Sequence, residues 1–167
     1  MKIGVYGQFY HRDSETYIQA VLDVLQTKGV KIVVEDKFLK SINKHKDISN
    51  NYSNVSSFTK IDKSYDFFIS IGGDGTLLKS VTFVKNLGIP IIGINTGRLG
   101  FLATIQKEKI SESLQQILNG NYSISKRGLI AVSTAPKIAE IEGLNFALNE
   151  IAINRKNTTS MIKVETS

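Results

Sequence analysis

Gly72-Gly73-Asp74-Gly75-Thr76 is the segment whose residue types and spacing could do chemistry. It follows the apolar run Tyr65-Asp66-Phe67-Phe68-Ile69-Ser70-Ile71 and precedes a helical period carried by Leu77, Val81 and Val84. Glycines between a strand and a helix allow positive φ and close backbone approach, and amide N–H groups at a helix N-terminus favour phosphate. Asp74 is out of place there, because a carboxylate beside phosphates is repelled. Residue type alone leaves three roles open to it: holding Mg²⁺, accepting a proton from an attacking hydroxyl, or capping a helix that starts at Thr76. The loop has neither the Gly-Lys-Ser/Thr of a Walker A motif nor the Gly-x-Gly-x-x-Gly of a dinucleotide fingerprint. P-loop and hydride-transfer chemistries therefore lose their main support.

The elements that must position this loop alternate along the first two thirds of the chain. Ile3-Gly4-Val5-Tyr6 reads as a strand, and Ile18, Val21, Leu22 and Leu25 form the apolar face of a helix that Ser14 can cap and Gly29 can stop. Val30 to Val34 is a second β-branched run, and a weaker helical stretch spans Asp36 to Lys44. The Asn- and Ser-rich tract from Asp47 to Ser57 reads as a flexible loop without chemistry. Beyond the glycine loop come the strand Ile89 to Ile94 and a helix carrying Ile110, Leu114, Ile117 and Leu118. Such alternation predicts an α/β fold, a Rossmann-like parallel sheet flanked by helices. The loop then shares the sheet's carboxyl rim with Gly7-Gln8 and Asn95-Thr96-Gly97.

The character changes after residue 121. Only strand-like runs follow, at Tyr122 to Ser125, Leu129 to Ser133, Leu144 to Asn154 and Met161 to Glu165, without a helical period between them. Residues 1–121 are thus expected to form an α/β nucleotide-binding domain, and 122–167 the start of an incomplete, all-β second domain that stops in mid-strand.

Bulk properties narrow the function classes. The charge of +6 is spread over lysines scattered among acids, with no Lys/Arg-rich block, so nucleic acid is not an expected partner. No apolar run approaches the roughly 20 residues needed to span a bilayer, so no membrane is expected either. Met1-Lys2-Ile3 leads into a buried strand rather than a secretory signal. The absence of cysteine removes disulfides, thiolate metal sites and cysteine nucleophiles, and a cytoplasmic protein fits best. His11 and His45 are far apart, and no metal-ligand spacing occurs elsewhere.

Three ordered segments together resemble the NAD kinase family. The glycine loop is similar to a signature shared with diacylglycerol and sphingosine kinases. Asn95-Thr96-Gly97-Arg98-Leu99-Gly100-Phe101-Leu102 resembles the NAD kinase segment after the next strand, and Leu148-Asn149-Glu150-Ile151-Ala152-Ile153 resembles that family's Asn-Glu motif. The resemblance implies transfer of the ATP γ-phosphoryl to the 2′-hydroxyl of the adenosine ribose of NAD. It implies Asp74 as general base, with Gly73, Gly75 and Thr76 lining the phosphate and NAD site. Phe101 would sit by the adenosine, although an aromatic after a glycine turn can also simply pack inward. Asn149 and Glu150 would contact NAD from the second domain; in a regular strand they point to opposite faces, so both reach one ligand only at a strand end or bulge. Mg²⁺, a divalent metal, would accompany ATP, and a full-length enzyme would be a homo-oligomer. The family's downstream Thr-Pro-Thr/Ser-Gly segment does not occur, since Pro90 and Pro136 are the only prolines and lie in other contexts. A truncated chain, inactive alone, is the expectation that follows. The rival readings are a lipid kinase of the same superfamily and a non-catalytic nucleotide-binding module.

Overall fold

The computed structural model describes residues 1–9, 13–48, 52, 55–97, 100–154, 161 and 163. Two compact units emerge, residues 1–125 and 126–167. The Tyr122 ring meets Phe67 edge-on at 5.3 Å between centroids, within the first unit.

In the first unit the order is β1 (Lys2–Gly7), α1 (Ser14–Thr27), β2 (Lys31–Glu35), α2 (Asp36–Lys44) and β3 (Ser56–Phe58). It continues through β4 (Phe67–Gly72), α3 (Asp74–Val84), β5 (Ile91–Asn95), β6 (Ile105–Gln106) and α4 (Ile110–Leu118). The strands form one sheet in the order β3-β2-β1-β4-β5-β6, every pair parallel. Parallel strands demand crossovers, and helices lying on both faces explain why β4 is buried along its whole length and β1 from Ile3 onward, rather than at alternate residues. Side-chain alternation sends Ile3, Val5, Ile69 and Ile71 toward α1 and α4, where Ile18, Leu22, Ile110 and Leu114 are buried. Tyr6, Val33 and Phe68 go the other way, to Val84 at the end of α3 and Ile89 ahead of β5.

The α/β expectation holds, down to the limits of α2. One correction concerns the tract from Asp47 to Ser57. Tyr52 within it is 1% exposed, its hydroxyl donates to Asp23 Oδ1 at 2.8 Å, and the edge strand β3 begins at Ser56. A lone aromatic among polar residues has no period to announce it.

The second unit holds β7 (Ile130–Ala131), the single helical turn α5 (Ala139–Glu142) and β8 (Phe146–Ala147), with β7 and β8 antiparallel. The expected strand at Tyr122 to Ser125 does not form, and α5 interrupts what was read as strand only. Strand propensity is realised only where a partner pairs with it, and among the described residues β7 and β8 alone are paired in this unit. The run Met161 to Glu165 lies largely outside the described residues. Among them, no helix is long and apolar enough to cross a membrane.

Candidate functional site

The strand order reverses between β1 and β4, and in open α/β sheets ligands gather outside the carboxyl ends of the strands at that switch point. Gly7 pairs with Ile71 there, and the Gln8 N–H reaches the Ile71 carbonyl at 3.3 Å. The glycine loop leaves the neighbouring strand at the same level.

Gly72, the last residue of β4, has φ 153°. A Cβ added to it would lie 2.8 Å from Thr76 Cβ, so both conformation and space require glycine. Gly73 occupies the N-cap of α3, its carbonyl accepting from the N–H groups of Thr76 at 3.0 Å and Leu77 at 3.1 Å. No side chain caps the helix, and the N–H groups of Asp74 and Gly75, its first two residues, come too early to find an acceptor within it. This geometry removes one role left open for Asp74: the helix starts at Asp74 itself, and its carboxylate does not cap it.

That carboxylate reaches across to the segment after β5. Oδ2 accepts from the Phe101 N–H at 2.8 Å, and Oδ1 from those of Leu102 at 3.0 Å and Ala103 at 3.1 Å. Partial burial pushes the Asp74 pKa up, but the hydrogen bonds from Phe101, Ala103 and Leu102 outweigh it, and the net shift is downward. Gly100 passes so close that an added Cβ would lie 2.5 Å from Asp74 Cγ. A carboxylate that phosphate would repel is thus held, ionised, in a cradle of amides.

Two hydroxyls add to the rim. Thr76 is 1% exposed and Thr96 3% exposed, and neither Oγ1 has a hydrogen-bond partner among the described residues. Leaving a buried hydroxyl unpaired costs about 1–3 kcal/mol, so each is a local cost carried at this rim. Between them the Thr96 N–H donates to the Gly72 carbonyl at 3.3 Å, and Asn95 Oδ1 shapes the turn by accepting from the Gly97 N–H at 2.8 Å.

The structure therefore brings together Gly73, Asp74, Gly75, Thr76 and the backbone of Phe101. The Phe101 ring is 94% exposed, which excludes a core role for it. Asn149 and Glu150 belong to the second unit, exposed and just beyond the end of β8. Arg98 and Leu99 lie outside the described residues. Sequence reasoning missed Gly100 as a close approach and the amides of 101–103 as donors, because a backbone N–H has no residue signature. Among the described residues no group of three or more His, Cys, Asp or Glu could hold a metal.

Comparisons with known proteins address the same segments. The profile of the ATP-NAD kinase N-terminal domain matches residues 3–122. The chain is 49% identical over 166 residues, 99% of its length, to the proteins named NAD kinase of Christiangramia forsetii and Flavobacterium psychrophilum. A NAD kinase of Bacteroides fragilis is 35% identical over 170 residues. The chain spans 56% of each of these relatives. Among solved structures, yeast NADH kinase complexed with NADH is similar with a TM-score of 0.59 at 16% identity, over 77% of this chain and 40% of that one. At that identity the likeness is one of fold.

Proposed function

The chain belongs to the ATP-NAD kinase family, and from that premise we propose that its glycine loop serves the phosphorylation of NAD to NADP by ATP. The observation that carries this reading is the Asp74 carboxylate, held by three amides beside an uncapped helix N-terminus.

In the proposed reaction the 2′-oxygen of the adenosine ribose bonds to the γ-phosphorus, and the bond from that phosphorus to the β-phosphate oxygen breaks. ADP leaves with that electron pair. The ribose hydroxyl proton passes to Asp74. A carboxylate of lowered pKa is a weak base, but phosphoryl transfer of the loose kind asks little of its base. Positioning matters more, and the cradle supplies it: three donors use three of the roughly four lone-pair sites of the carboxylate, leaving one for the ribose hydroxyl. Gly73, Gly75 and Thr76 line the phosphate path at the α3 N-terminus. Phe101, its ring exposed, covers the adenosine face. Asn149 and Glu150 contact NAD from the second unit; their place past the end of β8 frees them from the opposite-face constraint of a strand.

Mg²⁺ enters as the ATP complex. Such ions keep their waters and bind through substrate phosphates with one or two carboxylates, so no protein-built cage is required. Asp74 is the one acidic residue of the loop. Action in the cytoplasm as a homo-oligomer belongs to the same proposal.

The test replaces Asp74 by Asn and follows NADP formation from NAD and MgATP. Because the chain spans 56% of its relatives, the assay runs on it alone and joined to the remaining segment of the Christiangramia forsetii protein. A general base of this kind accounts for about 10²–10⁴-fold in rate, so kcat should fall by that factor while ATP still binds. An undiminished kcat would remove Asp74 from the chemistry, and a chain that binds nucleotide without turnover in either form would be a binding module.

A further inference from the structure

We propose that Phe101 is a positioning residue: a flat base seated on its ring orders the backbone of residues 100–103 and, through their amides, the Asp74 carboxylate. Recognition of the acceptor's adenine is then expressed in rate as well as in affinity. This rests on the phosphoryl-transfer reading above and deepens it.

The ring and the backbone of Phe101 are held very differently. The ring is 94% exposed, and among the described residues from Lys2 to Asn121 no other large hydrophobic side chain is exposed. The first unit otherwise packs its rings together, Tyr6, Phe58 and Phe68 all meeting Phe83. A ring left out of such packing offers its face, and a heteroaromatic base is a ligand that stacks on one. The N–H of the same residue, by contrast, donates to Asp74 Oδ2 at 2.8 Å.

The division of the cradle makes that bond decisive. Leu102 and Ala103 both donate to Oδ1, at 3.0 and 3.1 Å, whereas Phe101 is the one donor to Oδ2 among the described residues. Two amides hold the carboxylate at one oxygen, and the third sets its rotation about the Cβ–Cγ bond. Ala103 is 1% exposed and anchors its end of the segment in the core, while Phe101 stands at the exposed end. Ring and N–H share one Cα, so a ligand that immobilises the ring also immobilises the donor to Oδ2. Gly100 leaves no slack on the other side, since a Cβ there would lie 2.5 Å from Asp74 Cγ.

Contacts to a part of the substrate that does not react raise kcat only when they improve the geometry of the part that does. The adenine is such a part, and Phe101 connects it to the base. A group misplaced by about 1 Å can cost on the order of 10²-fold in rate, so partial loss of order at Oδ2 is read in kcat.

The test uses Phe101→Ala and Phe101→Tyr in the chain joined to the remaining Christiangramia forsetii segment, with NAD and MgATP. Phe101→Ala should lower kcat about tenfold at saturating NAD and leave KM for MgATP unchanged, and Phe101→Tyr, which keeps the ring, should restore kcat. In the Asp74→Asn background Phe101→Ala should lower kcat no further, because its effect passes through the carboxylate. A second readout needs no turnover. NAD should shift the Leu102 and Ala103 amide signals in the proton–nitrogen NMR spectrum, and at saturation these shifts should be smaller in Phe101→Ala. A raised KM for NAD at unchanged kcat, an undiminished Phe101→Ala effect in Asp74→Asn, or equal amide shifts in both proteins would each overturn the assignment. An undiminished Asp74→Asn rate would remove Asp74 as base, whereas the amide shifts do not depend on that rate, so the two failures remain distinguishable.

Discussion

Replacing Asp74 by Asn changes two things at once, because the carboxylate is the proposed base and also holds three amides. Asparagine keeps one acceptor oxygen and turns an NH₂ toward N–H groups that need an acceptor. Loss of rate should therefore come with loss of stability, and pH separates the two. Asp74 has a folded pKa below its ordinary 3.8, so the stability its ionised form contributes is complete above 3.8 and is lost as pH falls through the lower, folded value. Urea midpoints of the wild type and Asp74→Asn should differ at neutral pH and converge in strong acid. A gap that stays constant on acidification would mean that the amide cradle contributes nothing through charge. At this scale the sequence was partly legible. Asp74 and its glycines stood out because an acid in a glycine turn after an apolar strand has few structural uses. Gly100 and the amides of residues 101–103 did not, since close approach and backbone donors leave no mark on residue type.

Among the elements, the contact of β5 with α3 governs where the Asp74 cradle sits. A Cβ on Gly93 would lie 2.7 Å from Leu77 Cδ1 and 2.8 Å from the backbone Cα of Ala103. The leucine end can yield, but the Ala103 backbone cannot move without drawing its N–H away from Asp74. Gly93→Ala should cost about 1–3 kcal/mol in urea unfolding, the usual range for overpacking, and should lower kcat as well. A destabilised variant with unchanged kcat would uncouple strand packing from the site. The helices α1 to α4 and strands β1, β2, β4 and β5 were readable because each buries a regular face. The two-residue β6 and the edge strand β3 were not, for such short runs carry no period. Beyond residue 121 the difficulty is of another kind. Apolar runs there satisfied the local signal, yet pairing depends on a partner strand that local sequence does not name.

For the molecule as a whole, apolar exposure is uneven. Among the described residues most exposed large hydrophobic side chains, Ile124, Leu129, Ile138, Leu144 and Ile153 among them, lie beyond residue 121. The six-stranded sheet, by contrast, ends in short edge strands that offer little template for further pairing. The candidate site is assembled from segments distant in the chain, and the tie from Asp74 to Phe101 spans 27 residues. That tie has a consequence for exchange with solvent. Loop amides ordinarily trade their hydrogens for deuterium fast, as parts of a fold that open at little cost. Those of Phe101, Leu102 and Ala103 should instead be slow, and slow together, because one carboxylate latches all three. In Asp74→Ala the three should exchange at unprotected rates while the amides of β4 keep theirs. Were they to differ from one another in the unsubstituted protein, the latch would be three separate bonds. If they move as one, this stretch of loop is a cooperative opening unit fastened by the very group proposed to take the proton.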